Sequence, residues 1–260
     1  MAQSFAAALR SMELVVGTWL QINNATAAEV LANAGFDWIA IDIEHTDIDA
    51  SGLTSLLRGM YGRPVAPIAR VSTNDVLEIR RALDAGSRGV LVPFVSTPEE
   101  ARRAVDAAKY PPRGIRGFSF SRANNWGKDF AAEAGSANDE TVVIVMIESR
   151  RGAESIREIL AVDGVDAAFI GPYDLSGSFG IPGQIDAPPV RDACSRVLEA
   201  CRAARKPAGI LLTDPTPENV GAAVRSGYTL LALGLDTSFI ASGARRALDL
   251  ARAARRPAAS

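Results

Sequence analysis

The chain has 260 residues, 48% hydrophobic and 22% charged, with 28 Lys and Arg against 30 Asp and Glu. A net charge of −2 supplies no long-range field to draw nucleic acid or an anionic membrane, and a chain of this size buries roughly 70–75% of its unfolded surface as one large domain. The N-terminal MAQSFAAALRSMELVVG lacks both the basic start and the long apolar stretch of a signal peptide or membrane span, so a cytoplasmic protein is expected.

Apolar runs of strand length alternate with amphipathic stretches from end to end. VVGTW (15–19) comes first. The helix pattern ATAAEVLANAG (25–35) follows, with Thr26 as expected N-cap and Gly35 as terminator. WIAIDI (38–43) runs on into Glu44 and His45, the only histidine in the chain. VAPIAR (65–70) ends on Arg70, and NDVLEIRRALDAG (74–86) gives a helix with Asn74 and Gly86 in the capping roles. GVLVP (89–93) is the fourth strand. The stretch from Tyr110 to Glu140, rich in Gly, Pro, Arg and Asn, breaks the rhythm. It is too long for an ordinary connection and is expected to be a functional loop that helps shape a substrate pocket. VVIVMI (142–147) then ends against Glu148, and AAFIG (167–171) against Pro172, Tyr173 and Asp174. AGILL (208–212), the helix PTPENVGAAVRSG (215–227) and LLALG (230–234) complete the pattern. The tail ARAARRPAAS (251–260) is expected to fray or to pack on a neighbouring subunit. Cys194 and Cys201 lie on one helix, about 10 Å apart by helix rise, too far for a bridge and suited to core or interface packing.

About eight strand–helix units, with strands apolar on both faces, make an α/β fold: a single (β/α)8 TIM barrel over residues 1–260. A doubly wound open sheet is the alternative. It would usually carry a glycine-rich phosphate loop after the first strand, and VVGTWLQINNATAAE has none.

Three strand ends carry acid–base or ligating groups, the pattern of a barrel active site. Glu148 and Asp174 supply two hard oxygen ligands on adjacent strands, which suits a magnesium-class cation that keeps several waters. Asp174 also reads as a helix N-cap. The lone histidine rules out a histidine-rich zinc site. Backbone N–H groups of Tyr173 and Asp174, after the Gly171–Pro172 turn, form a possible carboxylate cradle or an ordinary βα turn. Arg70 is placed to stabilise an enolate oxygen, or to pair with Asp42 or Glu44. His45 suits proton transfer. Asp84 is placed to orient it, or is simply a charge late in an amphipathic helix. Lys109, Lys128 and Lys206 are the chain's lysines and none ends a strand, which disfavours a Schiff base.

GTWLQ, GFDWIAIDIEH, PIARV, ALDAG, VLVPFV, YPPRGIRG, IES, VDGVDAAFIGPYDLSGSFG and GLDT together span nearly the whole chain. In these segments it resembles the HpcH/HpaI group of metal-dependent class II pyruvate aldolases. The resemblance implies a (β/α)8 barrel assembled as a hexamer, a trimer of dimers. It implies Glu148 and Asp174 as ligands of magnesium, manganese or cobalt, His45 as general acid–base with Asp84 as its polarising partner, and Arg70 as the enolate-stabilising group. It also implies Asp42 near the metal's water network, the backbone around Tyr173 and Asp174 as the pyruvate carboxylate site, and Trp19 and Leu211 on the acceptor side. Met146 is a departure, because family members usually carry Gln there. Period two along a strand points it inward with Glu148. The implied reaction is reversible cleavage of a 4-hydroxy-2-oxo acid to pyruvate and an aldehyde. Oxaloacetate decarboxylation and turnover-free binding of a 2-oxo acid are the alternatives.

Overall fold

The computed structural model describes residues 4–254. Helix α1 (Phe5–Arg10) precedes eight parallel strands: β1 (Val15–Leu20), β2 (Trp38–Asp42), β3 (Ala66–Arg70), β4 (Gly89–Val92), β5 (Val142–Ile147), β6 (Ala167–Ile170), β7 (Ala208–Leu212) and β8 (Leu230–Leu235). They pair in sequence order and close, β8 on β1. The TIM barrel read from the alternation is therefore the fold, and the open sheet is excluded.

The connecting helices are α2 (Ala25–Ala32), α3 (Ala50–Gly59), α4 (Val76–Asp84), α5 (Pro98–Ala108), α6 (Phe130–Glu140), α7 (Arg150–Glu154), α8 (Ile156–Leu160), α9 (Pro172–Ser178), α10 (Pro188–Ala204), α11 (Pro217–Ser226) and α12 (Asp236–Ala254). Two caps differ from expectation. Asn24, not Thr26, caps α2, accepting from the Thr26 N–H, and Asp75, not Asn74, caps α4. In both cases an Asx side chain one or two residues away bonds the free first-turn N–H groups. Thr216 caps α11 as the pattern suggests, and Gly35, Gly86 and Gly227 all take positive φ after their helices.

Alternation along the strands sorts the core into two layers. One lies between barrel and helices. The other fills the barrel, where Trp19, Trp38 and Phe169 meet with ring centroids 5.6–6.4 Å apart. Ala6 and Leu9 of α1 pack into this inner layer and close the barrel end from which the strands start. Gly209 is required here, because a Cβ would stand 2.3 Å from Cδ2 of Phe169.

Residues 110–140 connect α5 to β5 and fold into a 3₁₀ segment (Arg122–Gly127) and α6. A connection from helix to strand lies at the N-terminal end of the barrel, and α6 indeed touches α1. The insertion is thus on the face opposite the strand C-termini. The expectation that it shapes the pocket of its own chain is corrected by chain direction. Lys109, fully buried, holds its two ends together: Nζ donates to the carbonyls of Asn138 at 2.8 Å and Thr141 at 2.5 Å. Cys194 and Cys201 are free thiols on α10. Of the tail 251–260, residues 255–260 lie outside the described residues.

Candidate active site

Inward positions of β2, β3 and β5 are apolar until their last turn of pleat, where they become Asp42, Arg70 and Glu148. Asp42 and Arg70 are register partners on adjacent strands. Beneath them lies the apolar floor of Trp19, Met146 and Phe169. Met146 is 4% exposed and belongs to this inner layer, as strand periodicity requires. Leu211 of β7 packs at its edge.

Arg70 is the positive hub. Nη2 lies 2.5 Å from Oε2 of Glu44 and 3.6 Å from Oε1 of Glu148, while Nη1 lies 3.7 Å from Oδ1 of Asp42. Its guanidinium stands over the Trp19 ring at 5.7 Å. The pairings with Asp42 and Glu44 left open by the sequence both exist, and Glu148 joins them.

Glu148 is 1% exposed. Oε2 accepts from the backbone N–H of Phe94 at 2.9 Å, and Oε1 has no hydrogen-bond donor. Phe94 has φ +51, a left-handed backbone that costs a non-glycine residue about 1–2 kcal/mol and that goes with its N–H meeting the carboxylate. Burial pushes the Glu148 carboxyl up to about 7, against the Phe94 N–H and Arg70, with Asp174 and Glu44 adding to the rise. Gly171 walls the other side: a Cβ there would stand 2.9 Å from Oε1. Asp174 is exposed in the first turn of α9 and is not its N-cap, a position held by Gly171. The N–H groups of Tyr173 and Asp174 lie in that same turn, where a helix offers no acceptor.

This donor set fits a hard divalent cation. Glu148 presents a buried, undonated oxygen, and Asp174 is close enough to disturb its charge. Among the described residues no group of three or more His, Cys, Asp or Glu is placed to hold a metal alone. A two-carboxylate site leaves the remaining positions to water and a chelating substrate, as magnesium-class ions prefer.

Asp42 has a different occupation. Oδ1 accepts from the N–H groups of Glu44 and His45, each at 3.2 Å, and Oδ2 from Trp19 Nε1 at 3.2 Å and Gln21 Nε2 at 3.1 Å. Thr46 Oγ1 bonds back to its carbonyl. With four donors on its two oxygens, Asp42 organises the turn that presents Glu44 and His45. His45 is 57% exposed in its side chain, with Nε2 3.7 Å from Glu44.

Asp84 is not brought to His45 within the chain. It is the last residue of α4, at the opposite end of the barrel, where Arg116 donates to it at 2.9 Å. A cleft of about 1000 Å³ also opens on that far face. Two of its arginines are already engaged, Arg116 with Asp84 and Arg122 with the carbonyls of Ala85 and Leu57. The chemistry collects at the other mouth. Lys109 and Lys206 bind backbone carbonyls away from it, and Lys128 caps the 3₁₀ segment.

The family model described as HpcH/HpaI aldolase/citrate lyase matches residues 15–242. The chain belongs to that family. A hydroxypyruvate/pyruvate aldolase of Sagittula stellata is 41% identical over 94% of this chain and 96% of its own. A 4-hydroxy-2-oxo-heptane-1,7-dioate aldolase of Shigella sonnei is 38% identical over 94% and 93%. The crystal structure of an HpcH/HpaI aldolase/citrate lyase family protein from Burkholderia cenocepacia superposes with a TM-score of 0.91 at 36% identity, covering 95% of this chain and 98% of that one. The first resemblance drawn from the motifs is thereby confirmed at the level of family and fold. No helix among the described residues is long and apolar enough to cross a membrane.

Proposed function

We propose that this protein is a divalent-metal-dependent aldolase, an aldehyde-lyase that reversibly cleaves 4-hydroxy-2-oxo acids to pyruvate, or a close analogue, and an aldehyde. The observation that carries the reading is the buried, undonated Oε1 of Glu148 set between Arg70 and the α9 turn. Magnesium, manganese or cobalt bound by Glu148 and Asp174 would supply Lewis-acid polarisation of the keto group. The chain's own groups do the rest. The first-turn N–H groups of Tyr173 and Asp174, beside Gly171 and Pro172, hold the carboxylate. His45 takes the proton of the C4 hydroxyl, the C3–C4 bond breaks, and its electron pair passes into an enolate whose oxygen Arg70 faces. Trp19, Met146 and Leu211 keep water from the enolate until C3 is protonated.

The family resemblance also suggests assembly as a trimer of dimers. The exposure of α12 supports an oligomer: Asp236 is its buried residue, while Phe239, Ile240, Leu248 and Leu250 face outward. In such an assembly Asp84 and the 110–140 insertion would reach a site only on a neighbouring copy. The test is aldol cleavage of 4-hydroxy-2-oxo acids with pyruvate release followed by a coupled dehydrogenase. Activity should vanish in EDTA and in Glu148→Ala and return to the wild type with added manganese. Undiminished cleavage by the metal-stripped protein would sink the proposal.

A further inference from the structure

We propose that this site takes an uncharged aldehyde as the partner of pyruvate, and that its charge distribution excludes a carboxylated one. This rests on the aldolase reading above and names the acceptor class that reading leaves open. Charge is unevenly spread over the fold. In a (β/α)8 barrel the connecting helices start at the catalytic mouth and end at the far face. Asp49, Asp75, Glu78, Glu100, Asp174 and Glu218 cap these helices or stand in their first turns. Arg58, Arg81, Arg202 and Arg225 stand in their last turns. A chain of net charge −2 therefore has an acidic mouth and a basic far face. Helix dipoles favour that placement, but each N-terminus offsets only about half a charge.

The balance inside the mouth is the same. A divalent cation at Glu148 and Asp174 would balance those two carboxylates. Arg70 then faces both Asp42 and Glu44, and the bound 2-oxo acid adds a carboxylate of its own. Arg150 is paired with Glu154 at 2.7 Å, and Arg151 is close enough to Glu99 to interact with its charge. The wall on the acceptor side comes from β1, β7 and β8. Trp19, Leu211 and Leu235 form it, and Asp214 is exposed just beyond Leu211. Gln21, at the end of β1, has its amide engaged: Nε2 donates to Asp42 at 3.1 Å, and Oε1 accepts from Thr237 at 3.2 Å. Behind it the buried Asp236 accepts from the N–H groups of Gln21 and Ile22. A carboxylate laid on this wall would be desolvated against leucines and repelled by Asp214. An alkyl chain gains from the same burial.

Butanal and 4-oxobutanoate separate charge from size, because they share a carbon skeleton and differ in a terminal methyl or carboxylate. The full-length protein, with manganese and pyruvate, is assayed for aldol addition to each as wild type and Asp214→Lys. At low ionic strength kcat/KM should favour butanal by about a hundredfold. Salt at about 1 M should narrow that ratio by screening the rim. Asp214→Lys should shift it about fivefold toward 4-oxobutanoate at low salt. Equal or better use of 4-oxobutanoate by the wild type overturns the proposal, and would mean that a neighbouring copy supplies a cation to the acceptor side. A preference for butanal that neither salt nor Asp214→Lys alters also overturns it, since shape and not charge would then discriminate. Deuterium exchange into the methyl group of pyruvate, with manganese and no aldehyde, is read in parallel. Its absence would defeat the parent aldolase reading, whereas exchange without discrimination between the aldehydes defeats this proposal alone.

Discussion

Replacing Glu148 by glutamine should make the metal-free protein more stable at pH 8, not less. The carboxyl is buried above an apolar floor, and burial pushes it up to about 7 from an ordinary 4.5. A raised acid favours the fold while protonated, fully so below pH 4.5, and that contribution is lost as pH climbs toward 7 and above. A rise of this size corresponds to roughly 3 kcal/mol at pH 8, taking about 1.4 kcal/mol per unit. Glutamine keeps the shape and the acceptor for the Phe94 N–H but needs no ionisation. It gives up the charge-assisted part of that bond and the attraction to Arg70, so roughly 3 kcal/mol is an upper bound. In a domain of this size that is a rise of about 5 °C or less in Tm.

The assay is thermal and urea unfolding in EDTA at pH 5 and pH 8, at one fixed protein concentration because assembly would otherwise shift the midpoint. Glu148→Gln should exceed wild type at pH 8, and the gap should narrow at pH 5. Manganese should then reverse the order. At 100 times its Kd it stabilises the wild type by about 2.7 kcal/mol, and it should leave the variant unmoved. A variant equal to or weaker than wild type at pH 8 in EDTA would refute the reasoning, since the carboxylate would then be adequately solvated or paired without a cation.

Gly171→Ala should leave a folded protein whose manganese affinity falls about 10–100-fold by calorimetric titration, because the new Cβ lies 2.8 Å from Cγ of Glu148 and displaces it. Lys109→Met should lower stability by about 2–4 kcal/mol by removing the donor to two buried carbonyls; limited trypsin digestion should then cut the 110–140 insertion faster than in wild type. Burial pushes Cys194 up to about 11 and Cys201 to about 12, so at pH 8 neither should react quickly with a disulfide reagent until the protein is unfolded. Rapid labelling of the native protein would contradict the packing of α10.

Strand periodicity and chain direction account for what the sequence revealed. Runs apolar on both faces with helical stretches between them specify a covered parallel sheet, and the absence of a phosphate loop argues for closure. Glu148, Arg70 and Met146 were legible because period two places them on the inner face. Asp84 and the insertion show the opposite case. Asp84 ends a helix and the insertion follows one, and each helix has by then carried the chain to the far end of the barrel; the βα versus αβ rule contained that information, although loop length alone suggested a role in the pocket. The bonds that Trp19 and Gln21 donate to Asp42, and the left-handed Phe94 whose N–H meets Glu148, had no sequence signal, since each depends on atoms brought together by non-neighbouring segments.

The arrangement also supports the proposal of a cation at this mouth. Asp42, Glu44 and Glu148 crowd one guanidinium, with Asp174 close enough to raise both glutamates. Asp42 is relieved by four donors, and Glu44 by its 2.5 Å contact with Arg70. Glu148 is left with one N–H and a guanidinium at 3.6 Å. The uncompensated charge is therefore concentrated on the oxygen that faces the α9 turn. The thioether of Met146 beneath it offers no donor to relieve that charge, whereas an amide there could. In this chain the floor drives the carboxylate toward protonation when it is alone, and toward a divalent ion when one is offered.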